Sequence, residues 1–506
     1  MATGIGPASA TDGRVATRSP VTFMDRAGKS KCEVETQKRI ANGKHFKNPS
    51  GAHATVSTRD GSHLDTDNPF FSAALGTNGR SCVTCHAPKD GMSMSVSSIQ
   101  ERFEESCGLD SLFTGDGANA PDLDVSTVEA RRETFSLLLN KGLIRIKIKP
   151  PPNAQYELVS VDDPYGNGAS MADGIVVFRR PLPATNLSFL NALMWDTREG
   201  RAEPAFLNTN LKNQARNAII DHAEGAAPSD DVLQAIVDFQ SALFTAQVKH
   251  HRAGNTANGG ATGGPHNLIG THYAVDENRI LPIPPPPASP LGVLTTNVFT
   301  LFGSWASSGE AGEDVEDDAD DDADDDADDD DHGRRHASRQ SVARGEQIFN
   351  NRPITDRALD GTLLIETCST CHNAFNAGNM SHSLVGRPFA GVAGVRVSEA
   401  PFRTPDLPLY TFKEKIPPFR TLVTTDPGQA LITGATRDWN RFKSTNLRGL
   451  AARAPYFHNG MAARIADIVN HYDVVMNPVD AAGNPISTPR FTAEEKADLI
   501  AFLESL

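Results

Sequence analysis

A chain of 506 residues, 39% hydrophobic and 22% charged, is long enough for roughly two or three domains and has the composition of an ordinary globular protein. No stretch approaches about eighteen apolar residues, which excludes a membrane-spanning helix, and no basic patch or arm argues for nucleic acid. The formal charge of −15 arises in one place. Residues 313–331 hold fifteen acids and no base, and the remaining acidic and basic residues balance.

In chain order, residues 1–20 are rich in Ala, Gly, Ser and Thr and lack the apolar region of a secretory leader. Periodic signal is weak until Asp67-Asn68-Pro69-Phe70-Phe71, which leads into Cys82-Val83-Thr84-Cys85-His86. A helix is expected over 97–106 and a Gly/Asp/Asn-rich loop over 108–122. Ser126-Thr127-Val128-Glu129 reads as a capping box before an apolar stripe at Phe135, Leu138 and Leu139 that ends at Gly142. Residues 143–148 alternate as a strand, a Pro150-Pro151-Pro152 run follows, and 156–161 is expected to pair back as a hairpin. Leu233, Ile236, Phe239 and Leu243 place a helix over 230–244. Residues 254–264 are rich in Gly, Asn and Thr, and 282–287 hold five prolines in six residues. Together with the self-repelling acidic tract, 251–340 reads as a disordered linker and insert. A helix over 342–349 precedes the second five-residue run, Cys368-Ser369-Thr370-Cys371-His372. The chain closes on a capping box at Thr492-Ala493-Glu494-Glu495 and a helix with Leu499, Leu503 and Leu506 on one face.

The repeated run carries the chemistry. Two cysteines three apart lie about one helical turn from each other, so both sulfurs reach the vinyl groups of one porphyrin, and the adjacent histidine can ligate its iron. Four thiolates could instead hold zinc, but zinc gives no reason for a histidine after each pair. Two covalently attached haem c groups follow, on Cys82, Cys85 and His86 and on Cys368, Cys371 and His372. The fold expected is mainly α: two cytochrome c-like helical domains, 1–250 and 341–506, joined by the disordered segment 251–340. Covalent haem attachment takes place outside the bacterial cytoplasm, so a periplasmic location is expected. Cys32 and Cys107 remain, as a disulfide or as two buried thiols.

Three further stretches suggest what surrounds the haems. They are Trp195-Asp196-Thr197-Arg198, then Leu211-Lys212-Asn213-Gln214 through Asp221-His222-Ala223-Glu224, and finally Asn446-Leu447-Arg448-Gly449-Leu450 with Ala454-Pro455-Tyr456-Phe457-His458-Asn459-Gly460. Together with the haem motifs they resemble the bacterial dihaem cytochrome c peroxidase family, which includes MauG, over most of the chain outside 250–340. The resemblance implies that Trp195 lies between the haems and conducts electrons or holes, with Thr197 where the family has glycine. It implies that Gln214 orients hydrogen peroxide and that Glu224 is the general acid/base at an open N-terminal haem. No histidine occurs in 87–99, so a distal histidine ligand just after the first motif is not expected. Met92, Met94 and His222 are the alternative ligands.

The same resemblance places the sixth ligand of the second haem at Tyr472, with Met476 four residues on as the alternative. It also implies a calcium ion between the domains, held by backbone carbonyls at Arg453 and Pro455. The function expected is peroxide reduction at the N-terminal haem, with oxidising equivalents shared with the C-terminal one. The electron source is a small cytochrome, a cupredoxin or a protein substrate, and a homodimer is the candidate assembly. A non-enzymatic dihaem electron carrier and a rubber-oxygenase-type dihaem dioxygenase are the competing readings.

Overall fold

The computed structural model describes residues 39–190, 192–199, 207–269, 297–307, 329–357, 363–379, 394–396, 404–475 and 491–506. Among these residues eleven α-helices alternate with thirteen strands in five sheets. The mainly helical expectation is therefore corrected to a mixed helix-and-sheet architecture. The physical reason is clear at Ile175–Arg179, five consecutive buried residues that begin with three β-branched ones. A run too short for a helix and buried on both faces is stable as a strand.

That strand pairs antiparallel with Ile144–Ile148, which removes the expected hairpin between 143–148 and 156–161. The three consecutive prolines hold the chain extended and supply no tight turn. Tyr156–Asp162 instead crosses to the C-terminal half and pairs antiparallel with Leu409–Glu414, Tyr156 opposite Glu414. A sheet thus runs across the boundary between the two halves. The helix Asp230–Ser241, capped by Ser229, ends earlier than expected. Leu243 opens the strand Leu243–His250, which lies between Gly51–Ser57 and Gly254–Asn255 in a four-stranded sheet.

The helix Val96–Ser106 stops at Cys107, which is left-handed at φ 52° and disulfide-bonded. The expected capping box at Ser126 is replaced by a simple cap, Thr127 accepting from the Ala130 amide at 3.0 Å. The helix breaks at Phe135 into Val128–Thr134 and Ser136–Lys141. Gly142 ends it at φ +63° with the Arg180 guanidinium against its Cα, so a side chain there would meet both backbone strain and a clash.

Part of the expected linker is core. Val298, Phe299, Leu301, Phe302 and Trp305 are buried against Val342, Phe349 and Phe502. The Glu346 carboxylate accepts from the Leu301 and Phe302 amides at 2.7 and 2.9 Å. The expectation of a wholly disordered insert is corrected accordingly, because five aromatic or aliphatic side chains in 297–305 can bury enough apolar surface to order the chain. Residues 308–328, most of the acidic tract, lie outside the described residues, as do Cys32 and Met476. The long helix Asp329–Asn351 packs along the C-terminal helix Ala493–Glu504. Arg344 joins them through both carboxylate oxygens of Asp498 at 2.7 and 2.9 Å. The capping box at Thr492 and Glu495 is present. No helix among the described residues is long and apolar enough to cross a membrane.

Candidate functional site

Each Cys-x-x-Cys-His run opens into a large cavity. The first, about 1320 Å³, is lined by Cys82, Cys85 and His86. The second, about 1410 Å³, is lined by Cys368, Cys371 and His372. In both, the histidine is oriented by a backbone carbonyl. His86 Nδ1 lies 3.2 Å from the Met92 oxygen and His372 Nδ1 lies 2.5 Å from the Gly378 oxygen. An Nδ1–H that donates to a carbonyl leaves the Nε2 lone pair available, the tautomer an iron ligand needs. Burial lowers both imidazoles, His86 to about 4, so the neutral form persists. Burial likewise pushes the Cys82 thiol up to about 12. These donor sets fit covalently held haem. Met92 and Met94 do not line the first cavity; both are buried in core clusters, and Met92 contributes its carbonyl instead of its sulfur.

The two cavities share a wall made by residues 180–183, Trp195 and Lys443. Trp195 Nε1 donates to the Arg180 carbonyl at 2.8 Å, and the Trp195 carbonyl accepts from the Lys443 amide at 2.8 Å. The Trp195 ring meets His458 edge to face at 6.2 Å, and His458 in turn stacks on Phe442 at 3.7 Å. Beneath Trp195, Asp196 is fully buried and paired with Arg179 and Arg198. Thr197 stands at φ +63°, a conformation that costs an L-residue about 1–2 kcal/mol. Its hydroxyl accepts from Gln429 Nε2 at 3.0 Å. The glycine of the resembled family has a conformational reason that this chain meets with strain.

Gln214 lines the first cavity from the helix Leu207–Asp221, with Ala218 and His222 one and two turns on. Glu224 does not share that face. It follows the helix end at φ 56°, is exposed, and lays its carboxylate over Gly115. The residues that sequence reasoning missed are Asp116 and Arg80. Asp116 binds both the His222 ring and the Arg80 guanidinium. A lone Asp inside a Gly-rich loop carried no signal that could have singled it out.

Tyr472 lines the second cavity from the helix Ile465–Val475. Burial, then the neighbouring Cys371 and Cys368, holds its hydroxyl well above the usual phenol range.

Calcium does not fit the place expected for it. The Arg453 carbonyl already accepts from Arg180 Nη2 at 2.9 Å, and the same guanidinium binds the Met94 and Lys141 carbonyls at 2.5 and 2.8 Å. A buried cation with several backbone oxygens has taken the role a metal would play. Arg453 adds a second guanidinium, bound to the Arg448 and Asn446 carbonyls. Burial draws both arginines down to about 10 and Lys443 to about 7; a divalent ion among them would be repelled. Treating the holoprotein with EDTA is expected to leave its Soret bands and thermal midpoint unchanged. A loss that added calcium restores would refute the replacement. Arg180, Arg453 and Lys443 have no carboxylate partner among the described residues, which suits a ligand that brings its own carboxylates, as the haem propionates do.

No family model matches the chain. A cytochrome-c peroxidase of Pseudomonas sp. (strain SCT), IdrP1, is 27% identical over 175 residues, 34% of this chain and 42% of that protein. A second cytochrome-c peroxidase, IdrP2 of Denitromonas iodatirespirans, is 30% identical over 139 residues, 28% of this chain and 35% of its own length. The matched region thus spans less than half of either relative. A crystal structure of a MauG-like protein associated with microbial copper homeostasis aligns over 94% of both chains, at 14% identity and a TM-score of 0.36. The two curated relatives support the resemblance to cytochrome c peroxidases.

Proposed function

We propose that the chain is a dihaem c-type, peroxidase-like oxidoreductase that reduces hydrogen peroxide in the first cavity and shares electrons with the second across Trp195. One observation carries the reading: two cavities, each bearing a Cys-x-x-Cys-His run, share a wall that contains an indole. Haem bound at each run supplies the redox chemistry, with a reactive iron on the His86 side and a relay on the His372 side.

The chain's own residues shape what surrounds that chemistry. Gln214 offers an amide to hold peroxide by hydrogen bonds. His222, in the lining, and Glu224, just beyond the same helix, are candidates for moving its protons. Tyr472 is the candidate oxygen donor that closes the second cavity. Trp195, held by the Arg180 carbonyl above and the Asp196 ion pairs below, keeps a fixed aromatic path between the two. Arg180 and Lys443 offset negative charge on both sides of that wall. Electrons come from a small cytochrome or cupredoxin, or from an oxidised protein side chain. A periplasmic location is supported by the haem motifs and by the disulfide at Cys107.

Low-temperature EPR of the ferric holoprotein tests the reading. One high-spin and one low-spin signal, with rapid loss of added peroxide, is the expected result. Two low-spin signals with no peroxide turnover would leave a dihaem electron carrier in its place.

A further inference from the structure

We infer that His222, held by Asp116 and Arg80, is the proton-handling group of the first cavity, in the place that resemblance gives to Glu224. The inference rests on the peroxidase reading and names the residue that serves it.

The observations are geometric. His222 follows directly on the helix Leu207–Asp221, and its amide still bonds the Ala218 carbonyl at 2.9 Å. This keeps its side chain on the cavity face that Gln214 and Ala218 also line. Its carbonyl is fixed by Asn78 Nδ2 at 2.9 Å and Arg80 Nη1 at 3.1 Å. Its ring donates Nδ1–H to Asp116 Oδ2. In the neutral ring Nε2 then carries the lone pair, and no hydrogen-bonding group among the described residues occupies it.

Asp116 is fixed in its turn. Burial would raise its carboxyl, but the His222 ring and the Arg80 guanidinium outweigh that and hold it below the usual carboxylate range. Arg80 cannot swing away, because it also binds the Ser111, Leu112 and Thr114 carbonyls at 3.0, 2.9 and 2.7 Å. A carboxylate that orients an imidazole and stabilises its protonated form is the arrangement by which a histidine becomes an effective base. Glu224 is exposed and has no place in the lining.

The step balances simply. His222 Nε2 takes the proton from one peroxide oxygen and returns it to the other, which leaves as water when the O–O bond breaks. The oxygen left behind takes up two protons and two electrons, delivered by the one-electron donor protein, and becomes the second water.

The test uses the holoprotein and two readouts, peroxide loss and cyanide binding, since hydrogen cyanide must also surrender a proton as it binds. His222→Gln is expected to slow peroxide loss by about 10²–10⁴-fold and to slow cyanide association by at least about tenfold. Slow turnover in Glu224→Gln with an unaffected His222→Gln overturns the inference. So does a wild-type first haem that is low-spin and turns high-spin in His222→Gln, because His222 would then be an iron ligand. If the wild type consumes no peroxide yet its cyanide binding depends on His222, the peroxidase reading fails and the proton role stands. Should His222→Gln not retain haem, Asp116→Asn keeps an acceptor for Nδ1–H while removing the charge. An unchanged cyanide rate in that variant overturns the inference.

Discussion

Replacing Arg179 by leucine is expected to lower the unfolding free energy by about 3–5 kcal/mol, read as a fall in the urea midpoint at neutral pH. Arg179 is 1% exposed and bridges two buried carboxylates, bonding Asp426 through Nε and Nη2 at 2.6 and 2.9 Å and Asp196 through Nη1. Leucine would leave both acids in the interior, and Asp196 would keep only Arg198, at 3.1 Å. An uncompensated buried charge costs far more than the pair contributes when intact. A midpoint within experimental error of the wild type would show that water or rearrangement rescues the acids.

The sign of the pH dependence follows from the same cluster. Burial would raise Asp196, but Arg179 and then Arg198 outweigh it and hold its folded pKa below the ordinary value. Its contribution is therefore complete above the unfolded carboxylate value of about 3.9 and is lost as pH falls through the lower folded value. Wild-type stability should decline below about pH 4, and the deficit of Arg179→Leu should narrow as pH falls, because protonation neutralises the two acids left without their cation. Because Asp196 adjoins Trp195, the variant should also weaken communication between the two cavities before it unfolds.

The second large effect is expected at Tyr472. Tyr472→Met should raise the midpoint potential of the second haem by on the order of hundreds of millivolts, since axial ligands set haem potentials over a span of about 0.8 V. An oxygen donor favours the ferric state, whereas a thioether favours the ferrous one. The cavity is apolar, and burial keeps the free phenol neutral, so a phenolate exists there only if a metal cation stabilises it. The thiol contribution to that shift disappears once Cys368 and Cys371 become thioethers, which eases ionisation in the holoprotein. Spectroelectrochemical titration of wild type and Tyr472→Phe decides the point. An unchanged potential and spectrum in Tyr472→Phe would remove Tyr472 from the iron.

Local rules carried much of what can be known about this chain. The spacing within Cys82–His86 and Cys368–His372 is what points to haem attachment, because thioether chemistry and iron ligation depend on residues within one run of five positions. Capping and hydrophobic period gave the helices Val96–Ser106 and Ala493–Glu504, where side chain and backbone meet within one turn. Local rules failed where a distant partner decides. Tyr156–Asp162 looks like half of a hairpin, yet its partner is about 250 residues away at Leu409–Glu414. Residues 297–305 look like linker until Phe349 and Phe502 cover them.

The site divides along the same line. Sequence alone pointed to the residues proposed to attach the cofactors and to Trp195, Gln214 and Tyr472 around them. Only the tertiary structure decided that Asp116 and Arg80 meet His222, that Arg180 binds the Arg453 carbonyl, and that Glu224 lies outside the lining of the first cavity. The reason is physical: attachment is written in short covalent spacing, whereas proton transfer and charge balance depend on burial and on partners up to hundreds of residues apart.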